Sequence, residues 1–376
     1  MNPPARSAPS PARRLPVHLT VLLVLLPAGL AACADAGRPR SEAATPPRPA
    51  GSTRPVEEDV GQTLLISFAG LEEPAYVARI LRRRRAAGVI LTGENVASPA
   101  QVRALTAALE RSAGGRALIG ADQEGGSTRT LPFAPAAAGQ SDQPTPAAAG
   151  AAARATGRAL GRLGLNLDFA PVADVAAGPD SILSSRAYPG RAPAVAAATR
   201  AAVTGYAASG VAATAKHFPG LGAATVNTDA TPATVASPAP TLRARDLAPF
   251  RAAITAGVPL VMASHALYPA LDPTRIASQS PAILGRLLRG SLGFRGVVVT
   301  DSIEAGAVRR RSSVASAAVR SIAAGADLVL MTGPGSYHLI YPRLVAAARR
   351  SPAFRRRIAD AAARVLALRR RLGLPA

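Results

Sequence analysis

Of the 44 basic residues in this 376-residue chain, Lys216 is the only lysine. Whatever bias filled the sequence with arginine has spared one compact ammonium with three donors, a group that a planar guanidinium cannot imitate. Lys216 stands beside His217, one of only four histidines, directly after the apolar run Val211-Ala-Ala-Thr-Ala215. Adjacent donors at a strand end can grip neighbouring hydroxyls. Asp301 follows Gly296-Val-Val-Val-Thr in the same manner, Asp122 follows Ala117 to Ala121, and Ser264 and His265 follow Pro259 to Ala263. A carboxylate near an ammonium and an imidazole is held ionised at neutral pH. The competing role for Asp301 is to cap a following helix. His265 could face a ligand or brace the Asp301 loop.

These residues need elements to bring them together, and the chain supplies a regular series. Short apolar runs recur at Thr63–Phe68, Gly88–Leu91, Ala117–Ala121, Leu165–Phe169, Val211–Ala215, Pro259–Ala263, Gly296–Thr300 and Ala326–Met331, separated by longer stretches of helical periodicity. Unbroken apolar runs suit strands buried on both faces, and helical crossovers make the sheet parallel. Eight such units predict closure into an α/β barrel of the (β/α)8 TIM type. Asp122, Lys216, His217, Ser264, His265 and Asp301 then all fall at strand C-terminal ends, the face on which such barrels do chemistry. Phe354 to Leu374 reads as a closing helix, and the Ala-rich stretch from Pro135 to Ala153 as part loop and part helix.

The ordered motifs resemble glycoside hydrolase family 3, in its single-domain branch of the β-N-acetylhexosaminidase type. Gly120-Ala-Asp122-Gln-Glu124-Gly-Gly126, Asn166-Leu-Asp168-Phe-Ala-Pro171-Val, Ser185-Arg186-Ala-Tyr188, Lys216-His-Phe-Pro-Gly220, Tyr268-Pro-Ala-Leu-Asp272-Pro and Gly296-Val-Val-Val-Thr-Asp301 follow the family's order over about residues 60 to 374. The resemblance implies that Asp122, Arg186, Lys216 and His217 bind sugar hydroxyls or the neighbouring substituent, and that Asp301 is the nucleophile. A retaining glycosidase requires an ionised carboxylate that can form a glycosyl ester on the anomeric carbon and release it to water. Asp168 and Asp174 read as structural, holding loop backbone beside the barrel mouth.

The departures from the family concern the second catalytic group. Where hexosaminidases of the family carry an Asp-Ser-His triplet on a mobile loop after the fifth strand, this chain has Asn227-Thr228-Asp229. Asp229 occupies the position of the histidine acid/base, and uncharged Asn227 that of its partner. The usual Pro-Gly-His-Gly reads Pro219-Gly220-Leu221-Gly222, and the arginine expected after Gly126 is displaced to Arg129. A carboxyl whose pKa is raised by burial can donate a glycosidase proton, so Asp229 is the candidate replacement. Loss of turnover is the other outcome.

Composition narrows the function further. The net charge is +22, but the arginines are scattered without a nucleic-acid motif, and Arg82 to Arg85 read as a solvated helix end. With no Trp and 3% aromatic residues, a small pocket for a terminal sugar fits better than a stacking platform for polysaccharide. The single cysteine, Cys33, allows no intrachain disulfide. It closes Leu30-Ala31-Ala32-Cys33, preceded by basic Arg6, Arg13 and Arg14 and an apolar Leu15 to Leu30, an arrangement that resembles a bacterial lipoprotein signal. The expected organisation is a signal peptide over 1–32, a Pro/Ala-rich tether over 33–58 and a barrel over 59–376. The leading expectation is an exported, membrane-anchored, exo-acting retaining β-glycoside hydrolase that needs no metal or cofactor and takes a small carbohydrate substrate. Two other readings are a sugar-binding lipoprotein that has lost turnover and an envelope protein whose charge engages anionic polymers.

Overall fold

The computed structural model describes residues 54–375, so the expected signal segment and Cys33 lie outside the described residues. All eight expected strands form, as β1 Leu64–Ile66, β2 Gly88–Ile90, β3 Leu118–Ala121, β4 Leu167–Asp168, β5 Ala212–Phe218, β6 Leu260–Ala263, β7 Val297–Thr300 and β8 Val329–Leu330. Each pairs in parallel with its neighbour in the chain from β1 to β7, and β8 pairs with β1. A bridge between Val299 and Leu328 joins β7 to β8 and completes the ring.

The apolar runs close the barrel because both of their faces are needed. Leu65, Ile90, Leu118, Met262 and Val299 pack together in the interior. Their neighbours Leu64, Val89, Ile119, Val261 and Val298 point outward into the larger core beneath the helices. Alternate strand residues face opposite sides, so a run of apolar residues supplies both the interior and the layer beneath the helices. Two of the crossover helices, Pro99–Ala113 and Pro146–Arg162, start at Ser98 and Thr145, whose hydroxyls accept the Gln101 and Ala148 amides. The Ala-rich stretch becomes helical only from Pro146, and its small residues let the helix lie against Ala192–Ala207. A Cβ added to Gly205 there would stand 2.4 Å from the Gly150 carbonyl oxygen.

Two boundaries differ from the sequence reading. The first helix among the described residues, Val56–Gly61, begins within the expected tether and buries Val56 and Val60. Six residues give too little periodicity to stand out from a Pro-rich neighbourhood. Strand β5 also continues past Ala215 to Phe218, so Lys216 and His217 lie within its C-terminal end rather than at the start of a loop.

The terminal helix, Pro352–Arg371, closes the end of the barrel opposite the active face. Its Val365 and Leu368 insert into the interior cluster. Beside it, fully buried Asp327 gathers Arg289, Arg357 at 2.7 Å and Arg364 at 3.2 Å, and accepts the Val298 amide at 3.0 Å. Removing one side of a buried ion pair strands the other, typically at about 3–5 kcal/mol. Asp327→Ala is therefore expected to lower unfolding free energy by roughly that amount, as measured by urea denaturation. A loss below about 1 kcal/mol would show that the three guanidinium groups are satisfied by water.

Candidate active site

A cavity of about 560 Å3 opens at the C-terminal ends of the strands. It is lined by Asp122, Arg186, Lys216, His217, Asp229 and Asp301. The six residues singled out in the sequence thus converge on one space from β3, β5, β7 and the loops after β4 and β5.

One wall is an ionic cluster that hides most of its charge. Lys216 Nζ donates to Asp122 Oδ1 at 2.5 Å and lies 2.6 Å from Glu124 Oε1. Arg186 grips Glu124 with two parallel bonds, Nε to Oε2 at 2.8 Å and Nη2 to Oε1 at 2.6 Å. Exposure separates the roles. The Lys216 and Glu124 side chains are each 2% exposed, whereas Asp122 is 35% and Arg186 26% exposed. Two of the three ammonium donors are committed behind the wall, so Lys216 chiefly fixes Asp122, and the polar atoms of Asp122 and Arg186 present themselves to a ligand. Burial would raise the Glu124 carboxyl, but the Lys216 charge and then Arg186 outweigh it and hold the group at about 2. Burial would lower Lys216 and Arg186, but Asp122 and Glu124 raise the first and Glu124 chiefly raises the second. Glu124 is the hub of this cluster, a role that its place between Gln123 and Gly125 does not signal in the sequence.

His217 is held from behind. Asp174, fully buried, accepts its backbone N–H at 3.0 Å, meets its Nδ1 at 2.8 Å, and takes the Leu221 amide on its other oxygen at 2.5 Å. That arrangement puts the ring proton on Nδ1 and leaves Nε2 for the cavity. Asp168 similarly accepts the Gln123 amide at 3.0 Å and the Tyr206 hydroxyl at 2.8 Å, fixing the turn that carries Asp122 and Glu124. Arg129 donates to the Gly126 and Pro132 carbonyls of its own turn and does not line the cavity.

On the opposite side, Asp301 accepts the Ser302 amide at 2.8 Å. No helix starts on it, since the next begins at Gly306. Burial pushes its carboxyl up, but His217, His265, the Ser302 amide and Lys216 more than offset this and leave it below the ordinary aspartate value. His265 is a brace: it is fully buried, with Nε2 2.9 Å from the Ser302 carbonyl and Nδ1 2.7 Å from the Ser278 hydroxyl. Glu304, another residue that drew no attention in the sequence, lines the cavity beside Asp301 and accepts the Thr332 amide at 2.9 Å.

Asp229 stands at the rim, on a turn made by the Asn227 side chain accepting the Asp229 amide at 2.9 Å. That turn is docked onto the Asp301 loop, because the Thr228 and Asp229 carbonyls accept the Ala307 and Gly306 amides at 3.0 and 2.7 Å. The contact depends on Gly306, where a Cβ would lie 2.2 Å from the Ala230 carbonyl oxygen. The Asp229 carboxyl is raised above its ordinary value, first by loss of water and then by the charge of Asp301, against smaller opposing effects of His217, Asn227 and Arg186. Two carboxyls in one cavity are thereby driven apart, one toward ionised and one toward protonated.

Residues 55–368 match the family profile described as the glycosyl hydrolase family 3 N terminal domain. A β-hexosaminidase of Xanthomonas axonopodis pv. citri is 38% identical over 281 residues, covering 72% of this chain and 84% of the relative. One from Stenotrophomonas maltophilia is also 38% identical over 281 residues, covering 72% and 83%. Among solved structures, a glycoside hydrolase family 3 β-N-acetylglucosaminidase from Paenibacillus superposes with a TM-score of 0.80 at 34% identity, over 85% of this chain and 63% of that longer one. A β-N-acetylhexosaminidase from Beutenbergia cavernae gives a TM-score of 0.76 at 34% identity, over 84% of this chain and 98% of its own.

Proposed function

The chain belongs to glycosyl hydrolase family 3, and on that premise we propose that it is an exo-acting, retaining β-N-acetylhexosaminidase with Asp301 as nucleophile and Asp229 as acid/base. The observation that carries this reading is geometric: the Asp301 and Asp229 carboxyls line one cavity, Asp229 on a turn docked onto the Asp301 loop, with Asp301 held low and Asp229 raised first by loss of water and then by the Asp301 charge. In the first step an Asp301 oxygen bonds to the anomeric carbon while the glycosidic bond breaks, and the Asp229 proton passes to the departing oxygen. In the second step Asp229 takes a proton from water as that water attacks the anomeric carbon, and the ester breaks to return the Asp301 carboxylate. Two inversions give retention. Asp122 and Arg186 present an acceptor and donors to the sugar from the far wall, with Lys216 and His217 beside them. The names of the relatives support an N-acetylhexosamine as the sugar, and a cavity of about 560 Å3 suits one terminal residue.

The test is turnover of 4-nitrophenyl N-acetyl-β-D-glucosaminide by the full chain, with the anomer of the sugar product followed by NMR. Release of the β-anomer first supports the proposal; first release of the α-anomer would overturn the retaining mechanism. A second reading, a sugar-binding protein without turnover, is favoured by the loss of the family's histidine and its acidic partner at Asp229 and Asn227. Saturable binding of N-acetylglucosamine without any nitrophenol release would establish it.

We further propose that the protein acts at the cell envelope, anchored by lipid on Cys33. No helix among the described residues is long and apolar enough to cross a membrane, which leaves the Leu30-Ala31-Ala32-Cys33 motif as the basis for attachment. Cys33→Ala is expected to move the protein from the membrane fraction to the soluble one. Unchanged membrane recovery of that variant would remove the lipid anchor.

A further inference from the structure

A second cavity, of about 250 Å3, lies at the N-terminal ends of the barrel strands, the end opposite the active site. Gln62 before β1, Ala87 before β2 and Arg116 before β3 line it, together with Arg369 and Arg370 from the last turn of the terminal helix. Its charge is unbalanced. Arg369 is 3% exposed, yet its guanidinium meets only neutral acceptors, the Gln62 side chain and the Ala87 carbonyl at 2.7 Å, and its Nε has no partner. Glu58 is the one carboxylate in the lining, against Arg54, Arg84, Arg116, Arg369 and Arg370; it pairs with Arg84 at 3.6 Å and acts on Arg116 from a distance, and neither Arg116 nor Arg370 makes an ion pair among the described residues. Glu110 acts on Arg369 only at a distance, without a hydrogen bond or ion pair, and burial raises its own carboxyl. The helix C-terminus offers roughly half a negative charge, too little for three cations.

The same end of the barrel shows what a balanced arrangement looks like. Asp327 there answers three arginines with a buried carboxylate. Arg369 has no such answer, and a buried, unpaired charge is among the most expensive features a fold can keep. Burial, Arg116 and Arg84 together push its guanidinium down to about 10 against the smaller opposing effect of Glu110.

We propose that this cavity is a binding site for a phosphate-type oxyanion, held by Arg369, Arg116 and Arg370. A tetrahedral anion with several oxygens can take the forked donors of more than one guanidinium, which a single carboxylate cannot do as well. The phosphate could belong to a small solute or to a lipid headgroup, and the site is independent of the glycosidase reading.

The test measures thermal unfolding of the full chain in inorganic phosphate, acetate and chloride at one ionic strength. Phosphate should raise Tm saturably, and Arg116→Ala with Arg370→Ala should raise the half-saturating concentration by about tenfold or more, the loss expected for charge-assisted contacts. Turnover of the nitrophenyl substrate should be the same in both proteins. Arg369→Met should abolish the phosphate response and raise Tm without phosphate, because the uncompensated charge is gone; if that variant does not fold, the Arg116 and Arg370 pair still decides. Response to phosphatidylglycerol vesicles but not phosphatidylcholine vesicles, with none to inorganic phosphate, would identify a headgroup as the source. Equal Tm in all three salts with no vesicle response, or a phosphate response unchanged in the double variant, would overturn the site.

Discussion

Asp301→Asn is expected to reduce turnover by roughly 10⁴–10⁶-fold, the scale seen when a nucleophile is removed from a site that otherwise survives. The side chain keeps its shape, and an amide oxygen can still accept the Ser302 amide that now bonds Asp301 at 2.8 Å. What is lost is the charge that attacks the anomeric carbon and the ester that stores the sugar between steps. Binding should change far less, because Asp122, Arg186 and Glu124 form their own cluster on the far wall. The pH profile of the unaltered protein follows from the sign of the shift. The nucleophile must be ionised, so activity falls as pH falls through the Asp301 pKa, and that acid limb should lie below the ordinary aspartate range. A 2-fluoro sugar that slows the second step should leave its mass on the Asp301 peptide. Labelling of Glu304 instead, the other carboxyl of this loop that lines the cavity, would transfer the nucleophile to it.

The barrel was legible because eight mostly apolar runs alternate with helical stretches, and their polar residues gather at the strand C-terminal ends. Lys216 was legible through its rarity and Asp301 through its place after three valines. Glu124 was not, since a carboxylate between Gln123 and Gly125 has no periodicity, and its burial rests on Arg186, 62 residues away in the chain. The division of labour behind the wall was equally hidden. Sequence placed Lys216 among ligands for sugar hydroxyls, while its geometry spends most of its donors on Asp122 and Glu124. The docking of the Asp229 turn depends on backbone carbonyls meeting amides at the Gly306 helix, and backbone pairing of that kind leaves only a lone glycine as its trace. The cations under the barrel were disguised by abundance: in a chain with so many arginines, Arg116 before β3 and Arg369 and Arg370 in the closing helix carry no separate signal.

Asp229→Ala should lower turnover of an unactivated glycoside by about 10²–10⁴-fold, the usual contribution of general acid/base assistance. Asp229 is fixed over the cavity by its docked turn, and the Asp301 charge together with loss of water keeps its proton on beyond the pH at which a free aspartate would release it. As the acid of the first step it must be protonated, so activity falls as pH rises through its raised pKa. Because the two carboxyls interact, the two limbs of the profile belong to the pair rather than to either residue alone. Removing Asp229 should erase the alkaline limb and leave the acid one. A 4-nitrophenyl leaving group departs without a proton, so the first step should suffer less with that substrate and the glycosyl ester should accumulate, visible as a burst of nitrophenol. Azide needs no base to attack the anomeric carbon, and it should relieve the slow second step and yield a β-glycosyl azide. Asn227 fits this scheme, since a third carboxylate there would add repulsion, whereas its amide turns the loop by holding the Asp229 amide. If Asp229→Ala keeps full activity on the unactivated glycoside, or if its alkaline limb is unchanged, the proton comes from another group; His217, with Nε2 directed to the same cavity by Asp174, is then the one to replace next.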